Sequence, residues 1–375
     1  MSQPAATLLA SKPIDVLVVD DAVVVRRIVS DALSADTAIR VIGTAANGRI
    51  ALQKLEQLRP DVVTLDFEMP EMDGVETLKA IRKTHPTLPV IMFSTVTVRG
   101  GAQTLEALAA GATDYITKPA NVGSVTEAQR RIQEQLIPKI KALCRRSGAA
   151  VTPREVVPVR PVQAVRSVQT VPASLIQRRP DAVAIGVSTG GPNALAELLP
   201  ALPRDLAVPI LIVQHMPPMF TRMLAERLDQ QSAIHVVEAQ AGMRLQPGTA
   251  YVAPGDYHLI VKREGDHVVT ALTQDPPENS CRPAVDVLFR SAADVYGSAL
   301  LAVVLTGMGQ DGLRGSEEVR RCQGRVLAQD QASSVVWGMP GFVAEAGLAE
   351  QVLPLNEMAV EITRRCALSL HRRGA

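Results

Sequence analysis

What most limits the fold of this chain is a repeated change of period. From Ile14 to about Arg146, short β-branched runs alternate with helical stretches, and Ile14–Val19, Val41–Ala45, Val62–Leu65, Val90–Phe93 and Asp114–Thr117 read as five buried strands. Between them, residues such as Val75, Leu78 and Ile81 recur at i, i+3 and i+6, close to one helix face. Strand and helix taking turns in this way predict a parallel sheet with helices on both sides. A second block of the same kind starts at Asp181, with strands expected at Ala182–Val187, Pro209–Val213, Val236–Ala239, Ala250–Val252, Leu300–Leu305 and Arg325–Ala328. Within it, His258–Val261 and Val268–Thr270 flank a Glu264-Gly265-Asp266 turn and predict a local antiparallel hairpin. Val285, Leu288, Phe289 and Ala292 share one face of a helix expected over Pro283–Tyr296.

The stretch between the blocks, Ser147 to Arg178, follows neither period. Pro153, Pro158, Pro161 and Pro172 are scattered among valines and arginines. Each proline removes a donor and fixes φ, so neither a helix nor a central strand runs through it. It reads as a semi-extended linker, with an edge strand over part of it as the alternative. The chain of 375 residues thus divides into 1–146, 147–178 and 179–375, compatible with about 150 residues per domain.

A hydrophobic share of 47% supports real cores, built chiefly from Val, Leu, Ile and Ala because aromatics are only 3%. The net charge of +1 removes a whole-protein electrostatic case for nucleic acid or an anionic membrane. Scarce aromatics argue against stacking platforms for single strands. Cys144, Cys281, Cys322 and Cys366 lie far apart without a CxxC pair, which fits a reducing compartment and excludes a disulfide scaffold or a Cys-type zinc site. No apolar stretch reaches the roughly 20 residues of a spanning helix, and the N-terminal segment lacks the basic start of a signal peptide. A soluble cytoplasmic protein without membrane insertion is expected.

In an open parallel sheet, ligands bind beyond the carboxyl ends of the strands. In the first block those ends carry polar groups: Asp20-Asp21, Asp66, Ser94-Thr95 and Lys118-Pro119. Converging carboxylates repel unless a cation sits among them, and oxygen ligands with one or two carboxylates suit Mg²⁺. Lys118 and Ser94 are placed to hold a phosphoryl group. One such residue alone would read as a helix cap or a solvated charge; four at successive strand ends favour a site. Val18-Val19-Asp20-Asp21, the run Leu65 to Gly74, Ser94 and Lys118-Pro119 resemble the receiver domain of two-component response regulators along nearly the whole block. The resemblance implies a flavodoxin-like sheet of order 2-1-3-4-5 and phosphorylation of Asp66 by a histidine kinase. It further implies Mg²⁺ held by Asp21, Asp66, the Glu68 backbone carbonyl and, through water, Asp20. Ser94 and Lys118 would form the phosphorylation switch.

In the second block, Gly186-Val187-Ser188-Thr189-Gly190 matches G-x-S-x-G, in which small neighbours let a tight turn project the serine. A helix beginning beside it, with Pro192 near its start, offers N–H groups for an oxyanion. A dinucleotide loop is the competing reading, and it calls for an acid at the end of the next strand. His215 ends that strand instead, in Gln214-His215-Met216-Pro217, where an imidazole can serve the serine as base. His85, His235, His267 and His371 fall in turns or the tail, and His258 is a pocket candidate beside Ala253-Pro254-Gly255. The base needs an orienting acid. Asp311, in the glycine-flanked run Leu305 to Gly312, is the candidate, with a cap on the helix starting at Leu313 as its bland role.

Together these runs, with Arg282-Pro283-Ala284-Val285-Asp286 and Ala328-Gln329-Asp330, resemble the catalytic domain of chemotaxis methylesterases of the CheB type. Receiver, linker and this domain match the family's order over nearly the whole chain. The resemblance implies a doubly wound α/β catalytic domain and hydrolysis of glutamyl methyl esters on methyl-accepting chemotaxis receptors. Deamidation of receptor glutamines is implied as well, with no cofactor for the hydrolysis and a chemotaxis-type histidine kinase as phosphodonor. Ser188 would be the nucleophile, His215 the base and Asp311 its orienter, with Thr189, Gly190, Gly191 and Met308 as oxyanion or substrate candidates. A DNA-binding regulator would require a clustered basic helix that the second block lacks. A silent adaptor would have no use for Ser188, His215 and Asp311 together.

Overall fold

The computed structural model describes residues 12–95, 97–118, 125–144 and 179–367. The expected linker 147–178, Pro119 and His371 lie outside the described residues. The first block folds as β1 (Ile14–Val19), α1 (Val23–Ser34), β2 (Ile39–Ala45), α2 (Gly48–Leu58), β3 (Val62–Asp66), α3 (Gly74–Thr84), β4 (Val90–Ser94), α4 (Val98–Ala109), β5 (Asp114–Thr117) and α5 (Val125–Leu143). Its sheet is parallel throughout, in the order β2-β1-β3-β4-β5. Alternation along each strand feeds two cores. Val16, Val18, Ile91 and Phe93 pack with Ile132, Leu136 and Ile140 of α5, whereas Leu17, Val19, Leu65 and Met92 pack with Leu55 and Leu78 on the other face. Burial on both faces is why the central strands β1, β3 and β4 read as continuous apolar runs.

The second block contains β6 (Ala182–Val187), α6 (Gly191–Leu198), β7 (Ile210–Gln214), α7 (Phe220–Gln231), β8 (His235–Glu238), β9 (Thr249–Val252), β10 (His258–Glu264), β11 (His267–Thr273), α8 (Val285–Tyr296), β12 (Leu300–Val304), α9 (Leu313–Arg321), β13 (Arg325–Gln329), α10 (Met339–Glu345), β14 (Gln351–Leu353) and α11 (Leu355–Ala367). Seven parallel strands form one sheet, β14-β13-β12-β6-β7-β9-β8, and β10 and β11 form a separate antiparallel pair. The short edge strand β14 escapes the sequence reading, since three largely exposed residues carry no alternation. Helix α8 starts at Val285 rather than Pro283, because Ala284 before it is extended (φ −119°, ψ 141°).

Both sheets reverse their strand order around one central strand. In the first, β1 lies between β2 and β3; in the second, β6 lies between β7 and β12. Loops leaving neighbouring strands diverge there, which opens a crevice at the carboxyl ends. The residues singled out above sit at these two reversals.

The blocks also touch. Tyr115 of β5 stacks on Phe220, the first residue of α7, with ring centroids 5.5 Å apart and planes 11° from parallel. Arg227 on α7 donates to the Leu105 carbonyl of α4, and Asn193 on α6 to the Ala112 carbonyl (3.5 Å). Leu105, Leu108 and Tyr115 thereby join a core shared with Phe220 and Leu224.

Candidate active site and phosphoacceptor site

At the first reversal, Asp20 and Asp21 follow β1, Asp66 closes β3, Ser94 closes β4 and Lys118 follows β5. One carboxylate oxygen from each of Asp20, Asp21 and Asp66 lies within 4.8 Å of the others. Lys118 Nζ is 2.6 Å from Asp66 Oδ2 and 3.2 Å from Asp20 Oδ2. Those two buried oxygens accept no other hydrogen bond, and the Glu68 carbonyl accepts none among the described residues. Burial pushes Asp66 up to about 6, against the pull of Lys118. Burial opposes the charge of Lys118, yet Asp66 and Asp20 carry it above the ordinary lysine value. Three acids facing one ammonium leave excess negative charge in a crevice lined with oxygens, a donor set that fits a hard divalent cation such as Mg²⁺. Ser94 Oγ is turned to α4, where Thr104 donates to it at 2.6 Å.

At the second reversal, Ser188 follows β6. The chain turns sharply there because Gly190 takes a left-handed conformation (φ 78°) and caps α6. The Ser188 amide donates to Thr306 O (3.0 Å), and Gln214 Nε2 donates to the Ser188 carbonyl (3.1 Å). Its half-buried hydroxyl has no hydrogen-bond partner among the described residues. Gly307 passes so close that a Cβ there would lie 2.9 Å from Ser188 Cβ and collide with Met339 Sδ. Of the four oxyanion candidates, Gly191 is corrected as an amide donor, since its N–H is committed to the Ser188 carbonyl (2.8 Å) in the turn. The amides of Thr189, Gly190 and Met308 have no partner among the described residues.

His215 follows β7, the strand paired with β6, so it and Ser188 occupy neighbouring strand ends. Its Nε2 is 2.8 Å from Asp311 Oδ2, and its Nδ1 is 3.6 Å from Cys281 Sγ. Burial alone would lower the His215 pKa; the contacts with Asp311 and Cys281 outweigh it and bring it to about 10. The imidazole and carboxylate therefore meet, whereas the Ser188 hydroxyl is not hydrogen-bonded to the imidazole.

Asp311 does not cap the following helix; Gly312 holds that position. Its carboxylate instead receives the first amides of α8. Val285 N donates to Oδ2 (2.7 Å), and Asp286 N (2.9 Å), Gly312 N (3.0 Å) and Asn279 Nδ2 (3.0 Å) donate to Oδ1. Burial raises a carboxyl's pKa, but His215 and these amides hold Asp311 below the ordinary aspartate value. Burial lifts the neighbouring Asp286 above it, although Gly312 N, Gly315 N and Asn279 Nδ2 donate to that carboxylate.

Asn279 and Cys281 are the contributors that sequence reasoning missed. They belong to a two-residue hairpin turn in which Glu278 N meets Cys281 O (3.1 Å) and Cys281 N meets Glu278 O (2.9 Å). Asn279 and Ser280 both have positive φ (53° and 62°), the type I′ geometry. Asn before a small polar residue is the signal that could have marked this turn. His258, a pocket candidate from sequence, is fully buried; it accepts from Ala284 N (3.2 Å) and faces Pro276 O (3.3 Å), so it braces the loop before α8.

Two family models match the chain, CheB methylesterase over residues 183–362 and response regulator receiver domain over residues 16–130. A protein-glutamate methylesterase/protein-glutamine glutaminase of a Nocardioides species is 58% identical, covering 94% of this chain and 96% of that protein. One from Trichodesmium erythraeum is 55% identical over 93% of this chain and 98% of its own length. The crystal structure of the Thermotoga maritima CheB methylesterase catalytic domain is 44% identical, covering 49% of this chain and 98% of that one, with a TM-score of 0.49. Among the described residues, no helix is long and apolar enough to cross a membrane.

The close approach of Gly307 to Ser188 makes a steric prediction. With Ser188 as the candidate reacting group, Gly307→Ala should lower ester turnover on the order of 100-fold, the scale expected when such a group is displaced by about 1 Å. Steady-state hydrolysis by purified variant and parent checks this, and an unchanged rate would show that the glycine does not position the serine.

Proposed function

Because the chain belongs to the CheB family of protein-glutamate methylesterases and protein-glutamine glutaminases, we propose that Ser188, His215 and Asp311 form its hydrolytic triad. The substrates are glutamyl methyl esters and particular glutamines on methyl-accepting chemotaxis receptors, and phosphorylation of Asp66 by a chemotaxis-type histidine kinase in the cytoplasm raises the activity. The observation that carries this reading is the 2.8 Å contact of His215 with Asp311 beside an unpartnered serine hydroxyl on the adjoining strand end.

Ser188 Oγ attacks the side-chain carbonyl carbon while His215 Nδ1 takes the hydroxyl proton. Asp311 keeps the other ring nitrogen protonated and stabilises the imidazolium. The amides of Thr189, Gly190 and Met308 are the donors for the developing oxyanion. Collapse of the tetrahedral species returns the proton to the leaving group, giving methanol from an ester or ammonia from an amide. Water, deprotonated by His215, then releases the carboxylate and restores Ser188. No cofactor enters these steps.

In the receiver, Asp66 accepts the phosphoryl group and Lys118 holds one of its oxygens. Asp21, Asp66 and the Glu68 carbonyl would hold Mg²⁺, with Asp20 acting through water; the ion supplies charge neutralisation. To reach the phosphoryl group Ser94 must give up its bond from Thr104, a residue of α4. That helix also carries Leu105, which accepts from Arg227. The receiver therefore contacts α6 and α7, the helices leading away from Ser188 and His215, and phosphorylation shifts the population from this packed arrangement to an open one.

Ser188→Ala should abolish methanol release from methylated receptors; more than trace turnover by that variant would remove Ser188 as nucleophile. Asp311 raises the His215 pKa, so the neutral base forms only as pH rises, and the rate climbs with it. Asp311→Asn should move that climb to lower pH while cutting the plateau roughly 10³- to 10⁴-fold; a pH–rate profile with an unmoved limb would contradict the pairing. Removal of residues 1–146 should raise the basal rate, and an equal or lower rate in that fragment would count against control by occlusion.

A further inference from the structure

The base nitrogen of the proposed triad already has a neighbour. Asp311 occupies Nε2, so Nδ1 is the nitrogen left for Ser188, and Cys281 Sγ lies 3.6 Å from it. The thiol is not there by chance packing of a mobile loop. The type I′ turn fixes its backbone, Glu278 forms a two-pronged ion pair with Arg290 (2.7 and 2.6 Å), and Arg282 binds Asp256 (2.6 Å). Asn279 of the same turn bridges Asp286 and Asp311. Cys281 is half-buried, so a small reagent can reach it.

Two of the other three cysteines are held as thiols by burial. Burial pushes Cys144 up to about 12 and Cys366 up to about 11, which leaves little thiolate in either. Among the described residues, Cys281 is the one cysteine whose sulfur meets an imidazole.

We infer that Cys281 is a thiol-modification site built into the base of the active site, and that a mixed disulfide on it with a small disulfide compound switches the hydrolase off. The inference rests on the triad reading above. In the step, the Cys281 proton passes to His215 Nδ1 and its sulfur attacks one sulfur of the incoming disulfide. That S–S bond breaks, a new one forms to Cys281, and the departing thiolate takes the proton from the imidazolium. One thiol and one disulfide go in and one of each comes out, so no further oxidant is required. The appended group then stands at Nδ1, where Ser188 has to deliver its proton. Excess thiol reverses the exchange.

The test treats the full-length protein with 2,2′-dithiodipyridine, follows released thiopyridone, maps the labelled cysteine by mass and measures methanol release from methylated receptors. The expected result is labelling of Cys281 with at least about a tenfold loss of rate, restored by dithiothreitol, whereas treated Cys281→Ser retains its own untreated rate within about twofold. Cys281→Ala serves the same comparison if the serine variant does not fold. His215→Gln should slow labelling of Cys281 about tenfold, since the proton acceptor is gone. Labelling at Cys281 with an unchanged rate, equal rate loss in Cys281→Ser, a Cys281 that stays unlabelled, or undiminished labelling in His215→Gln would each overturn the inference. Ser188→Ala separates the two readings: methanol release by that variant defeats the triad, whereas the labelling of Cys281 is read independently of turnover.

Discussion

A carboxylate taken out of water must be given hydrogen-bond donors or lose its charge, and the catalytic half of this protein is arranged around meeting that demand at Asp311. The first two amides of α8, the amide of Gly312, the Asn279 side chain and His215 all converge on its two oxygens. Those five donors come from four separate pieces of local structure. The start of α8, the hairpin turn at Asn279-Ser280, the loop after β12 and the end of β7 are held together by one ionised group. Asp286 repeats the arrangement one step deeper, with Asn279 shared between the two acids.

The same economy of placement appears in both sheets. In each, the strand order reverses at a central strand, and the polar groups collect at the carboxyl ends around that reversal. The two sites then solve opposite electrostatic problems. The receiver gathers Asp20, Asp21 and Asp66 around a single Lys118, which leaves negative charge for a cation to neutralise. The second site surrounds one acid, Asp311, with donors so that its charge is available to an imidazole. The connection between them joins an apolar contact, Tyr115 on Phe220 with Leu105 and Leu108 alongside, to hydrogen bonds from Arg227 and Asn193 to the Leu105 and Ala112 carbonyls, and it seats the receiver on the helices that leave β6 and β7. Such a contact can be loosened without disturbing either sheet, which suits a regulatory interface.

Much of this was legible in the residues. Buried parallel strands are apolar on both faces, so β1 to β5 and the strands of the second sheet stood out, and the polar residues ending them marked Asp66, Lys118, Ser188 and His215. The short edge strand β14 was not legible, because exposed residues carry no burial pattern. Nor were Asn279 and Cys281, which sit in a turn of irregular sequence some sixty residues from His215, without periodicity to point inward. His258 read as a pocket residue because proximity in sequence to Ala253-Pro254-Gly255 says nothing about which way a ring faces.

The sequence by itself determined the period of each segment, the two α/β blocks and the chemical types at the strand ends, since these follow from local propensity and alternation. Only the tertiary structure decided which nitrogen of His215 meets Asp311, that Cys281 stands at the other, that the Gly191 amide is spent within its own turn, and that α4 and β5 lie against α6 and α7. Those outcomes depend on distances between groups far apart along the chain, fixed by the packing of helices on two sheets and by the need to satisfy buried charge, and no local pattern encodes them.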